Sequence, residues 1–423
     1  MKIAIVSAVY YPMINGVATF THNLAVGLSK QGHEVIVICP SFTGKKHSVR
    51  QGNLMEYYVK SIRMPLYPDQ INEVPAKKRL FGKDLPTVFY RRGIWVSPAP
   101  YAEVRKILKK FRPDVIHSQT SDPIGVATAF FAHENEIPLV STGHSYPDQL
   151  TGQIKGLGPM KKPLDAALSA YLASYREHAD YATMPTEIAI EDLVLKRRKK
   201  IKVPIEALSN GVDLSEFKPG RAKLETYNKY KIPTDKPIVL YIGRVDPAKS
   251  ISTVIDAFTR VLEKVPEAEL LIVGDGVDMD RLKKITEYLQ IEKSVKFLGR
   301  VMPPDLYDIY KVGDVFVTAS ETETQGIVLI EAAATGLPIV AVDKGAVREV
   351  CQDGKNGVLC RAGGDVEGIS EGIIKILGDE DLRREYGKNS LEIAKKHDFN
   401  HTLSRFVEIY EEAIEKKAKE IEG

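Results

Sequence analysis

The chain has 423 residues, 43% hydrophobic and 27% charged, with a net charge of +3, which excludes a disordered or fibrous protein. No apolar run reaches the ~20 residues of a membrane span, and the opening MKIAIVSAVYYP lacks the apolar core and small-residue cleavage site of a signal peptide. Three cysteines, Cys39, Cys351 and Cys360, make a poor disulfide framework, so a reduced, cytoplasmic setting is expected.

KIAIVS (2–7) is a continuous apolar run of strand length. The loop AVYYPMINGVAT follows, a helical pattern runs to about Lys30, and EVIVICP is a second strand. Further strands are expected at 114–118, 138–142 and 181–185, with helical patterns at 101–111, 123–135 and 162–179. Such alternation implies a parallel sheet covered on both faces. The turn-rich SNGVDLSEFKPG (209–220) divides the chain, and the rhythm restarts. Strands are expected at 237–244, 269–276, 295–300, 314–320 and 338–343, and helices at 250–264, 278–289 and from about Pro303. Helical patterns at 379–396 and 400–419 close the chain.

This length and rhythm imply two doubly wound α/β domains, 1–208 and 209–399, with a cleft between them. Ligands of such sheets bind beyond the carboxyl ends of the strands, where loops meet helix N-termini. In the first half, Gly16 opens a helix and lets backbone approach a phosphate, or it is a simple strand–helix turn. His117 and His144 close strands, and each is a core histidine or, at His144, a contact to a reacting group. In the second half, Arg244 and Lys249 of GRVDPAKS are two cations able to neutralise a diphosphate, or surface charges. Asp278 and Asp280 are first-turn acids favoured by the helix dipole or, in the sharper reading, ligands of a divalent cation.

ETETQGIVLIEAAATGLP (321–338) carries two acids eight positions apart. The helix is expected to begin near Thr324, with Glu323 at or beside its N-cap and the amides of Gln325, Gly326 and Ile327 offering an anion site. Glu331 would then lie roughly 12 Å along the axis, so a ligand touching both acids is long. Otherwise Glu331 is an acid paired elsewhere; in an apolar helix it needs a partner either way.

INGV, the HS and GHS strand ends, SNGVD, IGR…K, VGDG, FLGRV and E-x7-E followed by AAATGLPIVA occur in order along almost the whole chain. Together they resemble the retaining GT-B glycosyltransferases of family 4. One departure is Lys249-Ser250, where the family often has Lys-Gly. The resemblance implies two Rossmann-like domains, the first binding an acceptor and the second a nucleotide sugar, with helix 400–419 packing back on the first. It implies that Arg244 and Lys249 bind the diphosphate, Glu331 the ribose, and Arg300 and Val301 the base. Glu323 and the amides of Gln325, Gly326 and Ile327 would orient sugar and phosphate, with His144 near the anomeric carbon. It implies no metal and no further cofactor.

ETQG and HSYPD resemble the diacylglycerol glucosyltransferases within the family. UDP-glucose as donor and a lipid acceptor such as diacylglycerol are therefore expected, with the chain peripheral on the inner face of the cell membrane. Charge fits: residues 1–210 carry 28 Lys and Arg against 18 Asp and Glu, the remainder 31 against 38. KKRLFGK (77–83), KRRKKIK (196–202) and the helical 161–178 are candidate contacts to an anionic leaflet, or ordinary surface and core. A soluble family member acting on a sugar, sugar phosphate or polysaccharide, a GDP-mannose-dependent mannosyltransferase, a sugar-nucleotide epimerase and a nucleotide-sugar sensor remain open. No stacking motif or nucleic-acid module accompanies the basic half, so nucleic acid is not expected.

Overall fold

The computed structural model describes the chain except residues 12, 14, 64–69, 73–78, 81–82, 85–89, 93–94, 145–159, 192–202 and 423. Of 70–72, 79–80, 83–84, 90–92 and 161 it describes the backbone alone. Contacts divide it into two units, Met1–Leu208 with Leu403–Gly423, and Ser209–Thr402.

The first unit holds β1 (Lys2–Val6), β2 (Glu34–Pro40), β3 (His47–Gln51), β4 (Leu54–Val59), β5 (Val115–Ser118), β6 (Leu139–Thr142), β7 (Tyr181–Met184) and β8 (Ile205–Ala207). They form one sheet in the order β8-β7-β6-β5-β1-β2-β4-β3. Every pair is parallel except β3 with β4. Parallel strands are covered on both faces, which is why Ile3, Ala4, Ile5 and Val6 are all buried rather than alternating. β3, β4, β8 and Gly357–Cys360 of the second unit lie outside the expected strands; HSVRQ of β3 is exposed along its length and has no apolar face to betray it. A polar strand at the sheet's end also discourages pairing with another chain. The last helix, Phe399–Glu422, contributes Phe406 and Tyr410 to this unit's core.

The second unit holds β9 (Ile238–Ile242), β10 (Glu269–Val273), β11 (Val295–Gly299), β12 (Val315–Thr318), β13 (Ile339–Val342) and β14 (Gly357–Cys360). All pairs are parallel, in the order β11-β10-β9-β12-β13-β14. Side chains of β9 alternate between two cores. Val239 and Tyr241 meet Val254, Phe258 and Ile373, while Leu240 and Ile242 meet Leu329 and Ile330.

Both sheets are doubly wound, and strand order reverses between β1 and β5 in the first and between β9 and β12 in the second. A crevice opens at such a reversal because the loops leaving the two central strands turn to opposite faces. In the second unit those loops are Gly243–Ser250 and Ala319–Gly326, the two stretches singled out for their charges.

Candidate active site

Within the second unit the two loops meet through an ion pair. Lys249 Nζ lies 2.5 Å from Glu323 Oε1, and both side chains are about 15% exposed. Ser320 Oγ lies 3.4 Å from the same nitrogen. An ammonium has three donors, so Lys249 keeps one for an incoming acceptor. Burial pushes the Glu323 carboxyl up. The Lys249 charge and hydrogen bond, a hydrogen bond from Ser320 and the Arg244 charge outweigh it and hold the group below its ordinary value. Arg244 is half exposed, with Nη1 2.8 Å from Asp246 Oδ2.

The lysine reaches inward because the chain turns sharply around it. Pro247–Lys249 is a single 3-10 turn and Ser250 adopts φ 49°, ψ 38° before the helix Ile251–Lys264. That left-handed conformation favours glycine, which accounts for the Lys-Gly of the resembling family and makes Ser250 a mildly strained exception. Backbone contact fixes the neighbouring loop. A Cβ on Gly274 would stand 1.8 Å from the Gly243 carbonyl oxygen, and its φ is 140°. Gly274→Ala is expected to cost at least about 2 kcal/mol, read as a lower thermal midpoint; an unchanged midpoint would show that the loops part easily.

The helix after β12 runs Ile327–Ala334, starting three residues later than the sequence reading placed it. Gly326, at φ 74° and ψ 55°, caps it, and Glu323 is not its cap. The left-handed residue breaks helical continuity between the two acids, so the axial separation of roughly 12 Å does not hold. Gln325 is buried and its side chain is committed: Nε2 donates to Ser209 Oγ at 2.6 Å, and Oε1 accepts from the Asn210 amide at 3.2 Å. The partner required by Glu331 is Tyr310, whose hydroxyl donates to Oε2 at 2.5 Å. Phe217 of the SNGVD segment packs edge-on against Tyr310 with centroids 5.5 Å apart. Burial pushes the Glu331 carboxyl up to about 7, the tyrosine bond opposing it.

In the first unit His144 is buried and belongs to a polar chain. Its Nε2 meets Gln119 Oε1 at 2.6 Å. An amide oxygen only accepts, so His144 donates from Nε2 and keeps Nδ1 as an acceptor. Gln119 Nε2 lies 3.1 Å from His117 Nε2, and His117 bonds Thr142 Oγ1 and Tyr410 Oη, each at 2.7 Å. Burial lowers both histidines to about 3, helped at His144 by the Arg176 charge and at His117 by His144. At neutral pH both rings are therefore uncharged, and His144 can serve as a neutral contact but not as an imidazolium acid.

Residues 14–216 match the Glycosyltransferase Family 4 model and residues 223–392 the Glycosyl transferases group 1 model. The chain belongs to the family-4 glycosyltransferases. An alpha-monoglucosyldiacylglycerol synthase of Streptococcus pneumoniae is 29% identical over 88% of this chain and 78% of its own. A second, from Acholeplasma laidlawii, is 27% identical over 100% of this chain and 99% of its own. Among solved structures, Anabaena Alr3699/HepE in complex with UDP aligns with a TM-score of 0.68 at 17% identity, over 97% of this chain and 100% of that one. The fold is thus GT-B, and this glycosyltransferase is an enzyme of the hexosyltransferase type.

The glycosyltransferase gathers Lys249, Glu323 and the field of Arg244 into one group, and sets Glu331 with Tyr310. Ile327 opens its short helix, and Arg300 and buried Val301 follow β11. Gly16 begins the helix Gly16–Lys30 of the first unit, capped by Asn15 Oδ1 accepting from Ala18 N at 2.9 Å. Asp278 is held by Arg281 through two bonds of 2.6 and 2.7 Å. Among the described residues no three His, Cys, Asp or Glu side chains converge as a metal site requires. The tail of HSYPD and KRRKKIK lie outside the described residues, as do Lys77, Lys78, Phe81 and Gly82 of KKRLFGK, whose other residues are described by backbone alone. Sequence reasoning missed Ser320, Tyr310 and Gln119. Each acts on a residue brought near by the fold, and no local pattern announces it.

Proposed function

We propose that this glycosyltransferase transfers glucose from UDP-glucose to diacylglycerol at the inner face of the cell membrane, keeping the anomeric configuration. The observation that carries the chemistry is the Lys249–Glu323 pair at the strand reversal of the second sheet. The acceptor rests on the two relatives named alpha-monoglucosyldiacylglycerol synthase, aligned over most of the chain. The donor's diphosphate sits against Lys249, Arg244 and the amides of Gln325, Gly326 and Ile327, with the ribose on Glu331 and the base by Arg300 and Val301. Glu323 steadies Lys249 and faces the sugar hydroxyls. Gly16 and His144 take part in holding the sugar end, His144 as a neutral ring.

Departure of the diphosphate breaks the bond between the anomeric carbon and the phosphate oxygen, which keeps the electron pair. Fixed cations stabilise that charge as it forms, and this lowers the barrier. Retention brings the acceptor hydroxyl in on the leaving group's own face. The nearest base for its proton is then the departing phosphate oxygen, and no carboxylate nucleophile is needed. The test is nucleotide release from a panel of nucleotide sugars, with and without vesicles containing diacylglycerol. Lipid-dependent release from UDP-glucose alone is expected. Release that needs a soluble sugar acceptor, or only GDP-mannose, would replace this reading with a soluble transferase or a mannosyltransferase.

A further inference from the structure

Three helices of the first unit expose apolar side chains around one groove. Its volume is about 820 Å³, and Pro98, Pro100, Tyr101, Pro123, Phe130 and Tyr171 are among its walls. Phe130 is 61% exposed, Tyr171 44% and Tyr101 37%. The two phenols are anchored by their oxygens. Tyr101 Oη donates to Glu134 Oε2 at 2.7 Å, and Tyr171 Oη donates to the Ser121 carbonyl at 2.5 Å, which leaves the rings outward. The apolar face continues along the helix Lys161–Glu177, where exposed Leu164, Ala167 and Tyr171 follow exposed Met160 at helical spacing.

The rim of this face is basic. On the helix Tyr101–Phe111, exposed Arg105 and Lys109 continue the Tyr101 stripe at four-residue steps, with exposed Lys106 and Lys110 beside them. Glu103 is that helix's one acid, and Glu134 is engaged by Tyr101. Apolar side chains rimmed by cations match an anionic bilayer, with rings and methionine among the acyl chains and cations at the headgroups.

We propose that the face formed by Tyr101, Phe130, Met160, Leu164 and Tyr171, with Arg105 and Lys109 at its rim, docks this protein on an anionic lipid bilayer. The proposal rests on the lipid-acceptor reading and adds the surface through which the enzyme reaches its acceptor. It differs from the two basic segments picked out in the sequence, since cations alone would bind anionic lipid without insertion, and it extends the helical candidate 161–178, which supplies Leu164 and Tyr171.

The experiment is flotation with phosphatidylcholine vesicles, pure or mixed with phosphatidylglycerol, beside nucleotide release from UDP-glucose with a monomeric short-chain diacylglycerol. Phe130→Ser with Leu164→Ser is expected to weaken vesicle binding about tenfold. Arg105→Glu with Lys109→Glu is expected to abolish the preference for phosphatidylglycerol. Ile421→Ser, which removes an exposed apolar residue elsewhere, should bind like the parent. Release with the short-chain lipid should stay within about twofold of the parent's in all three. Vesicle binding by Phe130→Ser/Leu164→Ser equal to the parent's overturns the surface, as does a parent dimer that this variant converts to monomer. A parent that ignores vesicles yet glucosylates the short-chain lipid also overturns it and leaves the acceptor reading standing. Surface-dependent vesicle binding without transfer to any diacylglycerol supports the surface and removes the acceptor reading.

Discussion

Replacing Lys249 with methionine is expected to lower kcat by about 10²- to 10³-fold. The substitution removes the most enclosed cation at the proposed leaving group and strands a carboxylate that burial already disfavours. Two effects are therefore mixed in the single variant, loss of charge stabilisation and an unpaired acid. Adding Glu323→Gln separates them. An amide needs no counter-ion, so the double variant should regain the thermal midpoint lost by the single one while kcat stays low. The sign of the pH effect supports the design. Glu323 is held below its ordinary value, so the pair's contribution to stability is complete at neutral pH and is lost as pH falls through that lowered value. Normal kcat in Lys249→Met would end the leaving-group role. A double variant that recovers kcat along with stability would reduce the lysine to a structural partner of Glu323.

The sequence made the strands legible because they are buried on both faces: IVLYI and ELLIV are unbroken apolar runs between turn residues. The same reasoning failed at HSVRQ, whose strand character lies in pairing with Leu54–Val59 and not in its side chains. At the site, residue types were readable and geometry was not. E-x7-E looked like two positions on one helix, but Gly326 in the left-handed region ends that continuity. The expected contact of Gln325 was its backbone amide, and nothing local showed that its side chain serves Ser209, 116 positions away. Tyr310 and Ser320 were invisible for the same reason, since only the packing of one strand–helix unit on another brings them to Glu331 and Lys249.

Donor binding is expected to strengthen as pH rises through about 7, and Glu331→Gln should remove that dependence. Ribose hydroxyls donate hydrogen bonds. A carboxylate accepts on both oxygens, and Oε2 has room beside the Tyr310 bond, whereas a protonated carboxyl has one oxygen committed to carrying hydrogen. Burial has raised Glu331 to about 7, and Tyr310, itself pushed well above its ordinary value, stays protonated throughout. The acid is then mostly neutral near about pH 6 and mostly ionised near about pH 8, a change of about tenfold in the competent fraction. A UDP-glucose analogue with a non-scissile bond is the right probe, because its diphosphate diester does not titrate in this window while the terminal phosphate of UDP does. Stability runs the other way. A carboxyl whose folded value exceeds its ordinary 4.5 favours the folded state when protonated, so the fold loses stability as pH rises from that value through about 7. Glu331→Gln should be the more stable protein at about pH 8 and bind the analogue about 10- to 100-fold more weakly there. Affinity equal to the parent's, or the same pH slope in both proteins, would detach Glu331 from the ribose and leave it as a tyrosine-bonded acid within the helix.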